Sequence, residues 1–142
     1  MSREISLSAL YGTVITENGR FTAEVIRLFQ EITRNRRINT GTAQPFTIAS
    51  GIVTIGTNYS YFSIDTQSAA ASDDLDTISG GNEGDLIFIK ATNAARTVVL
   101  KDGTGNIKTE GGVDLSLDNS DDLAILHHDG TFWKAQILNI SA

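Results

Sequence analysis

His127 and His128 stand side by side in a run of strand-forming residues. Histidine suits proton transfer near neutral pH and is a common metal ligand. Neighbours on a strand point to opposite faces, so this pair does not converge on one ion. Its position beside Asp129-Gly130 favours ordinary strand residues next to a hairpin over metal binding or catalysis. Two acidic clusters, Asp73-Asp74-Asp76 and the group Asp118, Asn119, Asp121 and Asp122, offer the oxygen ligands that calcium takes. Neither has the glycine and terminal glutamate of an EF-hand loop. Asx side chains also serve turns by bonding their own backbone, and that reading is preferred to a weak cation site. The glycine-rich pieces 79–84 and 102–106 resemble phosphate-cradling loops only in composition. Such loops open a helix, whereas strands are expected after both, so tight turns are the better assignment. No carboxylate spacing singles out a glycosidase pair, and no nucleophile motif accompanies the serines. The expectation is a protein that is not an enzyme and holds neither metal nor cofactor.

Binding chemistry has more to work with. Tyr59, Tyr61, Phe62, Phe132 and Trp133 are aromatic residues that either stack on sugars or fill a core. Tyr59 and Tyr61 fall on one face of a strand and Phe62 on the other. Tyr59, Tyr61 and Trp133 are the candidate ligand-contact aromatics. Arg34, Arg36 and Arg37 cluster in one short stretch. They complement the C-terminal end of a helix dipole better than they suggest nucleic-acid contact. Asn58-Tyr59-Ser60 and Asn139-Ile140-Ser141 match the glycosylation pattern. They carry no weight without an export signal, and the mixed charges of the first seven residues do not suggest one.

The elements that must position these residues are mostly strands. A weak alternation over 1–16 suggests an extended arm, followed by a turn at 17–20. A helix is expected next, with Thr22 as its N-cap and Phe21 able to staple onto Ile26. Phe21, Val25, Leu28, Phe29 and Ile32 form an apolar stripe at helical spacing. A helix of about 14 residues is marginal alone, so the stripe needs burial, against the β module or other copies. From residue 46 onward short strands are expected over 46–49, 52–56, 59–65, 75–78, 85–91, 97–101, 113–117, 122–128 and 132–139. Asp129-Gly130 marks a tight hairpin between the last two, and residues 67–74 are expected to form a mobile loop. The fold class expected is mainly β: an antiparallel β-sandwich or β-roll over about 46–140, preceded by the arm and one amphipathic helix. Two domains are expected, 1–45 for attachment and oligomerisation, and 46–142 as an acidic β module.

Two bulk properties narrow the function. The 142 residues suffice for one domain with an appendage, and they include no cysteine to make a disulfide or thiolate site. Residues 1–45 carry six Arg and four Glu, a balance of +2, and residues 46–142 carry five Lys or Arg and thirteen Asp or Glu, a balance of −8; together these give the net charge of −6. An acidic β module repels phosphate backbones, which argues against nucleic acid as a partner. No run approaches the roughly 20 apolar residues of a membrane span, so no membrane insertion is expected. Leu86-Ile87-Phe88-Ile89 and Val98-Val99-Leu100 are apolar on both strand faces. A small chain covers both faces with difficulty, which points to a homo-oligomer. Leu86 and Phe88 are thus expected at the interface together with Phe21, Val25, Leu28, Phe29 and Ile32.

The segments Thr77-Ile78-Ser79-Gly80-Gly81 with Glu83-Gly84-Asp85, then residues 96–106, then Leu117-Asp118-Asn119 with Asp121-Asp122, and finally Gly130 and Trp133, resemble a β module of tailed-bacteriophage structural proteins. The resemblance covers about the C-terminal half and rests on turn and core residues. It implies a virion protein, usually trimeric, of tail-fibre, spike or decoration type, with other virion proteins as partners and no catalytic residues. The chain is much shorter than a full fibre with its repetitive shaft, which favours a small spike, decoration or adaptor subunit. The expected location is the virion, after synthesis in the host cytoplasm. The alternative is a carbohydrate-binding module that recognises a host surface glycan.

Overall fold

The structure is a computed structural model in which residues 40–138 are described. The expected arm, the helix with its stripe Phe21, Val25, Leu28, Phe29 and Ile32, and the arginine cluster lie outside the described residues. Among the described residues there are eleven strands: β1 (Gln44–Thr47), β2 (Ile52–Thr54), β3 (Tyr61–Asp65), β4 (Ser72–Leu75), β5 (Thr77–Ser79), β6 (Leu86–Ala91), β7 (Thr97–Leu100), β8 (Ile107–Thr109), β9 (Leu115–Leu117), β10 (Leu123–His128) and β11 (Trp133–Leu138). The fold is mainly β, as the turn-punctuated apolar runs imply.

Its architecture is a short β-solenoid, which corrects the expected antiparallel sandwich or roll. A six-stranded sheet runs β1-β3-β6-β10-β11-β8, beside a pair β2-β5 and a three-stranded sheet β4-β7-β9. Successive turns of the chain stack in parallel: β3 on β1, β5 on β2, β6 on β3 and β7 on β4. Parallel neighbours need a long crossover. Here the strands of the other two sheets provide it. Ser50-Gly51 and Gly80-Gly81 lie at corners between sheets, and at the first the Ala49 and Ile52 backbones exchange both N–H to carbonyl bonds, at 3.0 and 3.1 Å. At the second corner the Ile55 amide bonds the Ser79 carbonyl at 2.9 Å, carrying the β2-β5 ladder to the end of the strand. The coil then closes with antiparallel strands, β9 on β7, β10 on β6 and β11 on β10.

Alternation on each strand fills the interior. On β6, Ile87, Ile89 and Ala91 are buried while Leu86, Phe88 and Lys90 point outward. The same period buries Phe62 and Ile64 from β3, Val98 and Leu100 from β7, and Ala124 and Leu126 from β10. Phe46 of β1 packs edge-on against Phe62, their centroids 5.6 Å apart. Trp133 at the start of β11 is completely buried, and its indole N–H reaches the Ile78 carbonyl at 3.3 Å. Gly81 lies against that ring, where a Cβ would overlap the six-membered edge.

One polar side chain extends a ladder where no strand is available. The Asn106 amide donates to the Ile78 carbonyl at 2.8 Å and accepts from the Ile78 N–H at 2.9 Å. Its own carbonyl receives the Trp133 N–H at 2.8 Å. Asn106 thus joins β5 to β11 through a pair of bonds like those of a ladder rung. Gly105 allows the close approach, since a Cβ there would strike the Asp76 carbonyl and the Thr77 hydroxyl.

The segment expected as a mobile loop is built into this frame. β4, which holds Asp73 and Asp74, pairs in parallel with β7 over four residues. The Asp73 carboxylate accepts the Gln67 N–H at 2.6 Å and the Asp74 N–H at 3.0 Å, which fixes the preceding turn. At the sheet edge, the Ile48 N–H bonds the Asp65 carbonyl of β3. Alternation then aims the Pro45 nitrogen away from β3. The missing N–H costs no ladder bond, and on this strand, terminal in the sheet among the described residues, it disfavours further pairing.

Candidate functional site

The outer face of the six-stranded sheet gathers most of the side chains that are left without a core role. Strand register arranges them in cross-strand rows. Tyr61 faces Phe88, Phe88 faces Ile125 and Ile125 faces Gln136, all pointing outward. Leu86 lies on one side of this row, and Leu123 faces Leu138 on the other. Leu86 and Leu138 are 40% and 52% exposed. Together these residues form an apolar band across β3, β6, β10 and β11. Contiguous apolar surface of this kind, rimmed by polar groups, is a candidate contact surface.

A second row crosses the β8-β11-β10 end. Lys108 faces Lys134 in the parallel pair, and Lys134 faces His127 in the antiparallel one. Like charges directly opposed on neighbouring strands repel each other. Both ammonium groups approach the Phe132 ring, at 5.6 Å for Lys108 and 5.3 Å for Lys134. Lys134 also meets Asp129 at 3.3 Å. A concavity of about 500 Å³ opens here, bounded by Lys108, Thr109, Glu110, His127, Lys134 and Gln136, with Ile125 and Ala135 beneath. The Gln136 amide donates to a Glu110 carboxylate oxygen at 2.9 Å, so these two stand at its rim as a bonded pair.

Asp129 shapes the hairpin that presents Phe132. Its carboxylate accepts the Phe132 and Thr131 N–H groups at 2.7 and 2.9 Å. These bonds to the ionised form, first Phe132 and then Thr131, with Lys134 adding to them, hold its pKa at about 2. On the three-stranded sheet, Lys101 bonds Asp114, with Asp74 at 4.0 Å. The bond to Asp114 raises the pKa of Lys101, and the bonds from Lys101 and the Asp102 N–H lower that of Asp114. A partly exposed ion pair between Arg96 and Asp65, at 2.8 Å, ties the β6-β7 connection to β3.

The expected site residues divide between core and surface. Leu86 and Phe88 both lie in the outer band. Tyr61 joins them, and Tyr59 is half-exposed in the loop before β3, beside a small depression of about 80 Å³. Trp133 is withdrawn from any ligand, because its ring is spent on the core. His127 faces solvent, while His128 turns inward to pack edge-on against Trp133 with centroids 4.7 Å apart. The acidic clusters spend oxygens on backbone: Asp122 accepts the Asp118 and Asn119 N–H groups, and Asn119 accepts that of Asp121. Among the described residues no three His, Cys, Asp or Glu gather as a metal site would require. Among the same residues no helix is long and apolar enough to cross a membrane.

Lys108, Lys134, Glu110 and Gln136 are the residues that sequence reasoning did not single out. Alternation around Trp133 places Lys134 outward, but nothing local shows that Lys108 lies beside it. Only the parallel pairing of β8 with β11 brings them together. No protein-family model matches the chain, and no similar protein is found among curated ones.

Proposed function

We propose that this chain is a structural subunit of a tailed-bacteriophage virion, of fibre, spike or decoration type, that works as a homo-oligomer, a trimer in the form the family likeness implies. The observation that carries the reading is the apolar band of Tyr61, Leu86, Phe88, Leu123, Ile125 and Leu138 on the outer face of the large sheet. Leaving such a face in water forfeits about 25 cal/mol for each Å² that association would bury. A second copy of the chain is the occupant best matched to it. Lys90 of β6 lies on the same face beside the band, whereas residues 46–142 carry thirteen acidic groups against five basic ones. Lys90 of one copy thus meets a predominantly acidic neighbour. The chain's share of the work is mechanical: a parallel coil with its interior filled and its edge blunted is a stiff building block, and repetition on a particle would make weak contacts avid.

The test is the composition of the particle. Quantitative mass spectrometry of purified phage particles, produced from the genome that encodes the chain, is expected to find it in a fixed copy number divisible by three. Absence from intact particles, with abundant chain in the surrounding lysate, would overturn the reading.

A further inference from the structure

We infer that the concavity at the β8-β11-β10 end of the outer face is a binding site for an acidic saccharide, a sugar that carries a carboxylate or sulfate group. Three observations converge there. The first is charge placed against the trend of the module: Lys108 and Lys134 sit in register on adjacent strands, with His127 next in the row. Both ammonium groups reach the same Phe132 ring, and although Asp129 partners Lys134 from the hairpin side, the pair offers two cationic donors to one anionic group.

The second is a set of neutral and acceptor groups beside the cations. Thr109, Gln136 and Glu110 bound the same space. A site for a bare anion has no use for a carboxylate, which repels it. A sugar has hydroxyls to donate, and Glu110 with Gln136 provides the bonded acceptor and donor pair that reads them. The third is the outward Ile125 side chain beside the polar rim, an apolar surface against which the C–H face of a sugar ring rests. The ligand that satisfies all three has a negative charge at one end, hydroxyls around its ring and an apolar face. The site shares Ile125 with the apolar band, but its charged and hydrogen-bonding groups, Lys108, Lys134, Glu110 and Gln136, lie outside that band, so it does not rest on the oligomer reading.

The experiment is titration calorimetry on the full chain with four probes: a galacturonate oligomer, a sulfated heparin-derived oligomer, a neutral galactose oligomer of equal length, and polyglutamate. Binding by either acidic sugar, with none by the neutral sugar or polyglutamate, is the expected result, and the stronger of the two identifies the anionic group. Replacing both lysines, Lys108→Ala with Lys134→Ala, is expected to weaken binding by roughly tenfold or more for each lysine. Lys134→Arg alone is expected to retain it. Glu110→Ala discriminates further, because it removes a negative charge: a plain cationic patch would then bind more tightly, whereas the saccharide site is expected to bind several-fold more weakly. Tighter binding by Glu110→Ala, equal binding of polyglutamate, or no binding of either acidic sugar by the folded wild-type chain each overturns the inference. Light scattering on the same lysine variants is expected to give an unchanged mass, which separates this outcome from failure of the oligomer reading.

Discussion

Trp133 illustrates how a residue's type and its role part company. Aromatic side chains near the end of a β module suit both sugar stacking and core filling, and one sequence does not separate the two. Burial does: the ring is enclosed, its N–H reaches the Ile78 carbonyl, and Gly81 makes room for its edge. Trp133→Ala is therefore expected to cost about 3–5 kcal/mol in urea unfolding. Gly105→Ala should also lower stability, because the added methyl meets the Asp76 carbonyl, which a backbone shift alone can move. The His127-His128 pair was readable, since alternation alone separates the two rings. Asp129 has a pH signature. Its pKa lies at about 2, below the usual 3.8, so the folded state favours the ionised form. That contribution is fully present above the unfolded value and is lost as pH falls through the folded one. Thermal melts between about pH 4 and pH 2 should show a smaller loss of stability for Asp129→Asn than for wild type.

At the scale of elements, the positions of strands were legible and their partners were not. Apolar runs bounded by Gly, Asp and Asn place β2, β3, β6, β7, β9, β10 and β11 within a few residues. The Asp129-Gly130 hairpin is local chemistry, and it joins β10 to β11 in the antiparallel sense expected. β4 and β8 were missed for one reason: Ser72-Asp73-Asp74-Leu75 and Ile107-Lys108-Thr109 are short and polar, and pairing with β7 and β11 is what makes them strands. The unbroken run Leu86-Ile87-Phe88-Ile89 held a clue to direction, since parallel strands read as continuous apolar stretches. Long-range rungs such as Asn106 to Ile78 have no sequence signature. Asn106→Asp keeps the size but cannot donate to the Ile78 carbonyl, and it places a charge in a part-buried spot. A loss of roughly 1–3 kcal/mol in chemical denaturation is expected, with Asn106→Leu falling in the same range.

At the scale of the whole molecule, the coil of residues 40–138 fills its interior and, among those described residues, presents one broad apolar face. Core residues from three sheets converge inside, yet the outer side of the largest sheet shows the band from Tyr61 to Leu138. Its presence could be anticipated from strands apolar on both sides. Its composition could not, because register across β3, β6, β10 and β11 decides which side chains line up. The central claim is that copies of the chain cover this face. Light scattering coupled to size-exclusion chromatography tests it most directly, on wild type and on the outward substitutions Leu86→Asp and Phe88→Asp. Wild type is expected to elute at three times the 15.2 kDa chain mass, and each variant, with an unchanged circular dichroism spectrum, at the mass of a single chain. A folded wild-type protein that stays monomeric at micromolar concentration, or variants that assemble as wild type does, would contradict the account.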